Sequence, residues 1–383
     1  MKILVVNNNM QVGGIQKSLV GFLGEISKKH TVSLVLFHPQ GELLPDVAEN
    51  VKIIKGNFFS QLMGMTRADA ASKGKLCFFI RAVCVAITRI SGAGLAYRIL
   101  ASFHKPKEKY DVAISFMQNS SDKIFYGGCN EFVLNSVKAD KKIAFIHCDF
   151  KNYPGNTPYN RRLYKKFDAV ACVSDSVKNV FVSQCPECMD KSFTVYNMHD
   201  FESIDNHASD TDIKKEDVPF IFTSARLSEE KGILRMLPIF DRIKKKGGNF
   251  KWYIAGYGPL HDKAVQCVSE LSLDDDVVFL GMVKNPYPYF KCADMVLVPS
   301  YNEAAPMVYT EANIFGTPVF TTNITSSYEM LSPEDNWIVD NTDEAIEHTL
   351  SDLLLNPENI YKKTPSIEKS NTKAINQFEN LIR

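Results

Sequence analysis

The sequence predicts an α/β protein that is built on parallel β-sheets and is long enough for two domains. Its 383 residues suffice for two hydrophobic cores. Hydrophobic residues make up 45% of the chain and charged residues 23%, which is normal for a globular protein. Short continuous apolar runs recur along the chain, and such runs are typical of strands buried on both faces of a parallel sheet. Three of them are Asp111–Phe116, Lys142–His147 and Asp168–Val173.

The first predicted strand, Lys2–Val6, leads to a glycine pair and a helix over Ile15–Lys29. Gly13 and Gly14 carry no side chain, so the backbone there can approach a ligand closely. Their spacing differs from the G-x-G-x-x-G motif of dinucleotide-binding folds, and the second strand lacks the acidic residue that accompanies that motif. The pair therefore indicates either a ligand-binding loop or a plain tight turn.

Residues 73–109 differ in character from the rest of the chain. They contain a single acidic residue, Glu108, and bulky apolar side chains stand between the basic ones. Such a segment could lie on an anionic membrane surface, or it could be a helix pair packed on the sheet with a solvated basic rim. The eight basic residues are Lys73, Lys75, Arg81, Arg89, Arg98, Lys105, Lys107 and Lys109.

The charge balance and the cysteine count indicate which partners and which cellular compartment to expect. The 44 basic and 44 acidic residues balance, so a nucleic-acid partner is not expected. Nine cysteines in largely apolar segments indicate reduced thiols. We expect a cytoplasmic protein, with the inner face of the plasma membrane as an alternative location, because neither a signal peptide nor a membrane-spanning apolar run is present.

The stretch Met295–Phe320 has the pattern of one strand–loop–helix–strand unit of a parallel sheet. Its apolar run Met295–Val298 is a predicted strand, and a helix is expected to begin at Pro306, which suits the first helical position. Gly316 should end that helix before the strand Thr317–Phe320. The loop between them would lie at the carboxyl edge, where such sheets bind ligands.

Two carboxylates stand in this unit, Glu303 in the loop and Glu311 in the helix. Between them, the backbone N–H groups of Met307 and Val308 would face the loop at the positive end of the helix dipole. That arrangement suits an anion such as a diphosphate. The alternative interpretation is an ordinary first-turn glutamate followed by a solvated mid-helix glutamate.

The segment E-A-A-P-M-V-Y-T-E, from Glu303 to Glu311, resembles the paired-glutamate motif of retaining glycosyltransferases with the GT-B fold, in particular family 4, also called group 1. Further matches extend the resemblance over nearly the whole chain. The chain departs from the family pattern at Ala304, where glycine is common. It departs again at Ser326–Ser327, where a glycine usually precedes an acidic residue.

A second match follows the predicted strand Pro219–Thr223. The segment S-A-R-L-S-E-E-K-G resembles the family's G-R-L-x-x-x-K-G, with Ala225 in place of glycine. The resemblance implies that Arg226 and Lys231 stabilise the leaving nucleoside diphosphate, whose charge two cations can balance. The alternative is that both are ordinary surface residues near a helix start.

The resemblance also implies roles elsewhere in the chain. His147 ends a predicted strand, where the family has a functional histidine near the transferred sugar; the alternative is a histidine that caps backbone groups. Glu303 would orient the donor sugar, Glu311 would bind ribose, and Val283 would border the base. The implied catalytic residues are His147, Glu303, Arg226 and Lys231, and the implied nucleotide-sugar contacts are Gly13, Gly14, Val283, Ala305, Pro306, Met307, Val308 and Glu311.

The domain organisation implied by the resemblance is two Rossmann-like, doubly wound domains facing each other across a cleft. Residues 1–200 would form the acceptor-side domain and residues 201–365 the nucleotide-sugar-binding domain. Residues 366–383 would form a helix that crosses back to the first domain. The polar stretch Ser203–Val218 is the expected linker.

The implied reaction transfers a hexosyl group, with retention of configuration, from a nucleotide sugar to a hydroxyl acceptor. A UDP-sugar is the favoured donor, and a lipid-linked glycan of surface polysaccharide synthesis is the expected acceptor. No cofactor or metal is expected, because the acidic run Asp274–Asp276 falls in a predicted turn ahead of a strand. Two alternatives are a nucleotide-sugar epimerase of the same fold and a non-catalytic partner subunit.

Overall fold

The chain divides into two compact units. A computed structural model of the protein describes residues 1–208 and 213–383. Unit 1 comprises Met1–Asp200 and Asn371–Arg383, and unit 2 comprises Phe201–Ser370. Each unit has its own parallel sheet with helices on both faces.

Unit 1 is built on a seven-stranded sheet in the order β3-β2-β1-β4-β5-β6-β7, in which neighbouring strands are parallel. The strand order reverses between β1 and β4, the usual place for a ligand site in such sheets. The strands are β1 Lys2–Asn7, β2 Thr31–Leu36, β3 Lys52–Lys55, β4 Lys109–Ser115, β5 Lys138–Ile146, β6 Ala169–Cys172 and β7 Ser192–Thr194.

The helices of unit 1 include the last helix of the chain. On that helix Phe378 is fully buried, and its ring centroid lies 4.9 Å from that of Phe22. The helices are α1 Gly14–Ile26, α2 Phe58–Gly64, α3 Arg67–Ser72, α4 Lys75–Ser91, α5 Ala93–Ser102, α6 Cys129–Ser136, α7 Pro158–Tyr164, α8 Asp175–Gln184 and α16 Thr372–Ile382, with a 3₁₀ turn at Pro186–Lys191.

Unit 2 is built on a six-stranded sheet in the order β10-β9-β8-β11-β12-β13, again with parallel neighbours. Here the order reverses between β8 and β11. The strands are β8 Phe220–Ser224, β9 Lys251–Ala255, β10 Val277–Gly281, β11 Met295–Val298, β12 Val319–Thr322 and β13 Trp337–Val339.

The helices of unit 2 cover both faces of its sheet. On one face the core gathers around Trp252 and Phe240, and on the other around Phe222 and Tyr309. The helices are α9 Phe201–His207, α10 Ile233–Lys245, α11 His261–Glu270, α12 Tyr287–Cys292, α13 Met307–Ile314, α14 Ser327–Met330 and α15 Asp343–Leu355, with 3₁₀ turns at Glu229–Lys231 and Pro357–Lys362.

The predicted α/β class with two parallel sheets is confirmed, whereas the first part of the expected linker is helical. The expected linker Ser203–Val218 overlaps helix α9, whose buried Ile204 gives it an apolar contact that the polar sequence around it conceals. Residues 209–212 of that predicted linker lie outside the described residues.

His147 directly follows β5, and its ring lies among aromatic side chains of unit 1. The ring centroid is 4.6 Å from that of Phe116 and 5.7 Å from that of Phe145. Its Nε2 atom is buried and has no hydrogen-bond partner among the described residues. Burial lowers the pKa of His147 to about 3, although a hydrogen bond with the backbone of Phe116 acts in the opposite direction. The imidazole is therefore neutral at pH 7.

This burial predicts a loss of stability in mild acid. Because the pKa of His147 is lower in the folded state than its ordinary value of 6.5, the unfolded chain binds the proton more tightly. Stability should fall by about 1.4 kcal/mol for each pH unit below that value. Urea denaturation at pH 7.5 and 5.5 is the measurement, with wild type expected to lose about 1 kcal/mol more than His147→Gln.

Two other histidines, His38 and His104, do not affect this comparison of wild type with His147→Gln. Burial lowers the pKa of both side chains as well, but both are present in wild type and variant, so their contributions cancel. Equal losses of stability in the two proteins would show that His147 does not resist protonation.

Candidate functional site

Two loops meet at the carboxyl edge of the unit 2 sheet, where the strand order reverses. They are the β8 loop, residues 225–232, and the β11 loop, residues 299–306. Gly232 has a φ of +68°, and a Cβ added there would lie 2.0 Å from the carbonyl oxygen of Pro299. The N–H of Tyr301 donates to the carbonyl oxygen of Glu230 at 2.9 Å. The two loops therefore touch through their backbones.

An ion pair between Lys231 and Glu303 joins the same two loops. Both side chains are largely buried, with 24% and 16% of their surface exposed. The Oγ atom of Ser300 also donates to the Glu303 carboxylate, at 3.1 Å. The structure thus brings together two residues that the sequence predicted for one site but placed 72 positions apart.

Arg226 forms a second ion pair, with Glu230 of the same β8 loop. Its Nη2 atom lies 2.7 Å from Oε1 of Glu230, and the Ser228 hydroxyl donates to that oxygen at 2.7 Å. Burial acts to raise the pKa of Glu230, but the hydrogen bonds from Arg226 and Ser228 outweigh it and hold the pKa below its ordinary value. The carboxylate is therefore ionised at neutral pH.

The sequence analysis missed Glu230. The available signal was its spacing of four residues from Arg226, which is also common between solvated charges on helices. Here Glu230 lies in the 3₁₀ turn Glu229–Lys231, and Arg226 lies in the loop before that turn. The Arg226 side chain is 68% exposed.

Helix α13 starts at Met307, one residue later than predicted, because Pro306 has an extended backbone with ψ of 121°. Pro306 makes no side-chain hydrogen bond to the first turn of α13. The N–H groups of Met307 and Val308 belong to that turn, at the positive end of the dipole, where N–H groups have no partner within the helix. The interpretation of Glu311 as a solvated residue is wrong, since it is only 1% exposed.

The two departures from the family pattern are in contact with each other. The hydroxyl of Ser326 donates a hydrogen bond to the carbonyl oxygen of Ala304. The Thr322 hydroxyl likewise donates to the carbonyl oxygen of Ser300, at 2.6 Å. The last residue of β12 and the chain that follows it therefore hold the β11 loop at two points.

The ends of β8, β9 and β10 also converge at this edge. Gly256 has a φ of +140°, and a Cβ there would lie 1.9 Å from the carbonyl oxygen of Ala225. Its N–H donates to the carbonyl oxygen of Gly281 at 2.7 Å. Val283, two residues further along the chain, is partly buried against the same core cluster as Phe222.

The remaining predicted site residues, Gly13, Gly14 and His147, lie in unit 1. Gly13 precedes α1 with an extended backbone that any residue can adopt, and Gly14 is the first residue of that helix. A Cβ at Gly13 would meet only the flexible side chain of Gln16, and one at Gly14 would meet nothing within 4 Å. The backbone turn itself therefore does not require glycine at either position.

The acidic run Asp274–Asp276 precedes β10, so it lies at the amino edge of the sheet and away from the β8 and β11 loops. Asp276 is paired with Lys244, and Asp274 accepts a hydrogen bond from Ser269 at 2.6 Å. Within residues 1–208 and 213–383, no group of three His, Cys, Asp or Glu side chains is placed to hold a metal ion.

Comparisons with known proteins relate this chain to glycosyltransferases. Residues 206–372 match the family model described as Glycosyl transferases group 1. An uncharacterized glycosyltransferase of Methanocaldococcus jannaschii is 29% identical over 45% of this chain and 44% of its own length. The alignments with the first curated relatives thus span less than half of those proteins.

A longer alignment joins the chain to a Campylobacter jejuni protein, named GalNAc-alpha-(1->4)-GalNAc-alpha-(1->3)-diNAcBac-PP-undecaprenol alpha-1,4-N-acetyl-D-galactosaminyltransferase. The two are 23% identical over 97% of this chain and 94% of that protein.

Among solved structures, S. aureus TarM, in complex with fondaparinux, alpha-GlcNAc-glycerol and UDP, has a TM-score of 0.69 over 100% of this chain and 99% of its own. The sequence identity is 13%, so this likeness concerns the fold alone. The family match over residues 206–372 and the GT-B fold of the whole chain together support a glycosyltransferase of group 1.

Proposed function

We propose that the protein is a retaining, metal-independent hexosyltransferase that uses a UDP-sugar and glycosylates a lipid-linked glycan in surface polysaccharide synthesis. The observation that carries the proposal is the paired β8 and β11 loops, with Arg226, Lys231 and the start of α13 at one edge of the sheet. UDP is favoured over GDP because TarM, which shares the fold, was solved with UDP.

The first step is exchange of ion-pair partners on donor binding. Without a ligand, Lys231 is neutralised by Glu303 and Arg226 by Glu230. A diphosphate that accepts hydrogen bonds from both cations would release the two carboxylates from them. Glu303 then accepts hydrogen bonds from the hydroxyls of the donor sugar. Met307 and Val308, which follow Ala305 and Pro306 at the start of α13, present their backbone N–H groups to the diphosphate.

Catalysis then rests on stabilising the leaving diphosphate. Because these cations and the helix dipole are already positioned, little reorganisation is needed as negative charge develops. No carboxylate is assigned as a back-face nucleophile, so the acceptor attacks from the front face and the leaving phosphate takes its proton. Glu311 binds the ribose and Val283 borders the base.

The proposed membrane contact rests on helix α4, one face of which exposes large apolar side chains. The four residues named here the α4 stripe are Leu76, Phe79, Val83 and Ile90, with exposed fractions of 70%, 66%, 42% and 88%. Their spacing of three, four and seven residues puts them on one face of the helix. A large exposed apolar face of this kind marks an interaction site.

The opposite face of α4 is the one that packs on unit 1. Cys77, Cys84 and Thr88 are buried there, and Arg81 donates to the carbonyl oxygens of Met65 and Phe125 at 3.0 and 3.2 Å. Within the described residues, no helix is long and apolar enough to cross a bilayer. The α4 stripe would instead lie in the interface of one leaflet.

Charge complementarity favours an anionic leaflet as the occupant of this face. The exposed cations Lys75 and Arg89 lie on the same helix as the stripe, whereas the single acid of the segment, Glu108, is paired with Lys2 and Lys52. Each exposed cation near an anionic surface contributes about 1 kcal/mol. Lys109 is exposed too but is paired with Asp140. The other exposed basic residues are Lys73, Lys75, Arg89, Arg98, Lys105 and Lys107.

Replacing Lys231 or Arg226 by Ala should weaken donor binding while the fold is kept. For Lys231→Ala we expect a loss of about 2–5 kcal/mol, because a largely buried charge partner is removed, and less for the more exposed Arg226. Calorimetric titration with UDP, after a thermal-shift panel of nucleotide sugars on wild type, is the measurement. The same titration of wild type addresses the alternative of a non-catalytic partner subunit, because such a subunit would not need to bind UDP.

Arg242→Ala is the matched control for these two variants, since Arg242 is also ion-paired in unit 2, with Glu347 at 2.7 Å, but lies outside the two loops. UDP affinity within a factor of three of wild type for both Lys231→Ala and Arg226→Ala would show that this edge does not hold the diphosphate.

Turnover should not depend on a divalent metal, because the positive groups that face the diphosphate are Arg226, Lys231 and the start of α13. Sugar transfer is expected to persist in EDTA at its full rate. If chelation abolished activity and magnesium or manganese restored it, the role given to these cations would have to be abandoned.

Liposome flotation should distinguish anionic from neutral vesicles. Binding is expected with anionic lipid, to weaken at high salt, and to be lost in Phe79→Ser/Ile90→Ser and in Lys75→Glu/Arg89→Glu. The control is Lys28→Glu/Lys29→Glu, a charge reversal on exposed residues beyond α1. Arg81 is unsuitable for reversal because it holds backbone carbonyls. Equal flotation on both vesicles would favour a soluble acceptor.

A further inference from the structure

Arg235 is a buried cation next to the site, and none of the roles above uses it. It lies in the first turn of α10 with 3% of its side chain exposed, and its ion pair with Asp343 is long, at 3.9 Å. The Nε and Nη2 atoms are buried without a hydrogen-bond partner among the described residues. Burial of a poorly paired charge is unfavourable, and so is a cation at the positive end of a helix.

The contacts that Arg235 does make converge on one residue of the β11 loop. The guanidinium lies 4.2 Å from the centre of the Tyr301 ring. Its Nη1 donates to Oδ1 of Asn341 at 2.8 Å, and Nδ2 of Asn341 donates to the carbonyl oxygen of Tyr301 at 3.1 Å. Arg235 and Asn341 therefore hold both the ring and the carbonyl group of Tyr301.

Tyr301 links these contacts to the diphosphate residues. Its N–H donates to the carbonyl oxygen of Glu230, the residue before Lys231. Two positions later in the chain stands Glu303, which pairs with Lys231. A displacement of Tyr301 would therefore move the β11 loop and the β8 loop relative to each other.

We propose that Arg235 is a positioning residue for the donor site, acting through Tyr301 and Asn341 without touching the nucleotide sugar. This inference rests on the proposed function. A planar guanidinium suits the role because it stacks on an aromatic ring and donates in its own plane at the same time. A lysine could not do both.

The alternative is that Arg235 serves only the stability of unit 2, and Arg235→Met separates the two roles. Methionine fills the volume without the charge, and apolar replacement of a buried charge is often neutral or stabilising. We expect an unchanged or higher Tm together with at least about tenfold weaker UDP binding. The amide of Tyr301 should exchange hydrogen at least about tenfold faster, even without ligand.

Arg242→Met is the matched control, on the same helix two turns further along. It should alter neither UDP binding nor exchange at Tyr301. Asn341→Ala should resemble Arg235→Met, and the double variant should be less impaired than the sum of the two, because both act on one residue.

Unchanged exchange at Tyr301 in Arg235→Met would overturn the inference, and so would a fall in Tm that matches the loss of binding. Arg235→Lys gives a further test, since charge alone should not restore protection of the Tyr301 amide. Failure of wild type to bind any nucleotide would instead count against the proposed function, while the exchange comparison would still decide whether Arg235 holds the loop.

Discussion

The ion pair between Lys231 and Glu303 is the interaction on which the rest of the site depends. It joins the loops of two strands that are neighbours in the sheet but far apart in sequence. Because both side chains are largely buried, neither charge can be left alone without a large desolvation penalty. The pair therefore keeps the two loops together in the absence of a ligand, and under the proposed function a donor would replace this contact and engage both side chains.

The sequence predicted the parts of this site that are local. The apolar run Met295–Val298, the proline at 306 and the two glutamates stand within one stretch, so strand, loop and helix could be read from spacing alone. Glu230 and Arg235 could not be assigned in this way. Their importance lies in contacts with Arg226 and Tyr301, and those contacts depend on how two βα loops pack.

The same limit applies to the segment around α4. Both faces of this helix carry apolar residues at helical spacing, so periodicity could not decide which face is buried. The structure orients small and polar residues inward and places the α4 stripe outside. Likewise, α9 escaped prediction because a single buried isoleucine is a weak signal in a polar stretch. Tertiary packing, rather than composition, settles such cases.

The lack of space for a Cβ at Gly232, in the Lys-Gly dipeptide of the β8 loop, constrains tertiary packing as well as the local turn. The glycine fixes how near the carbonyl of Pro299 can come, and thereby the separation of two segments that are 67 positions apart. One dipeptide thus encodes a tertiary distance. A chain with a larger residue at this point would have to route its β11 loop differently.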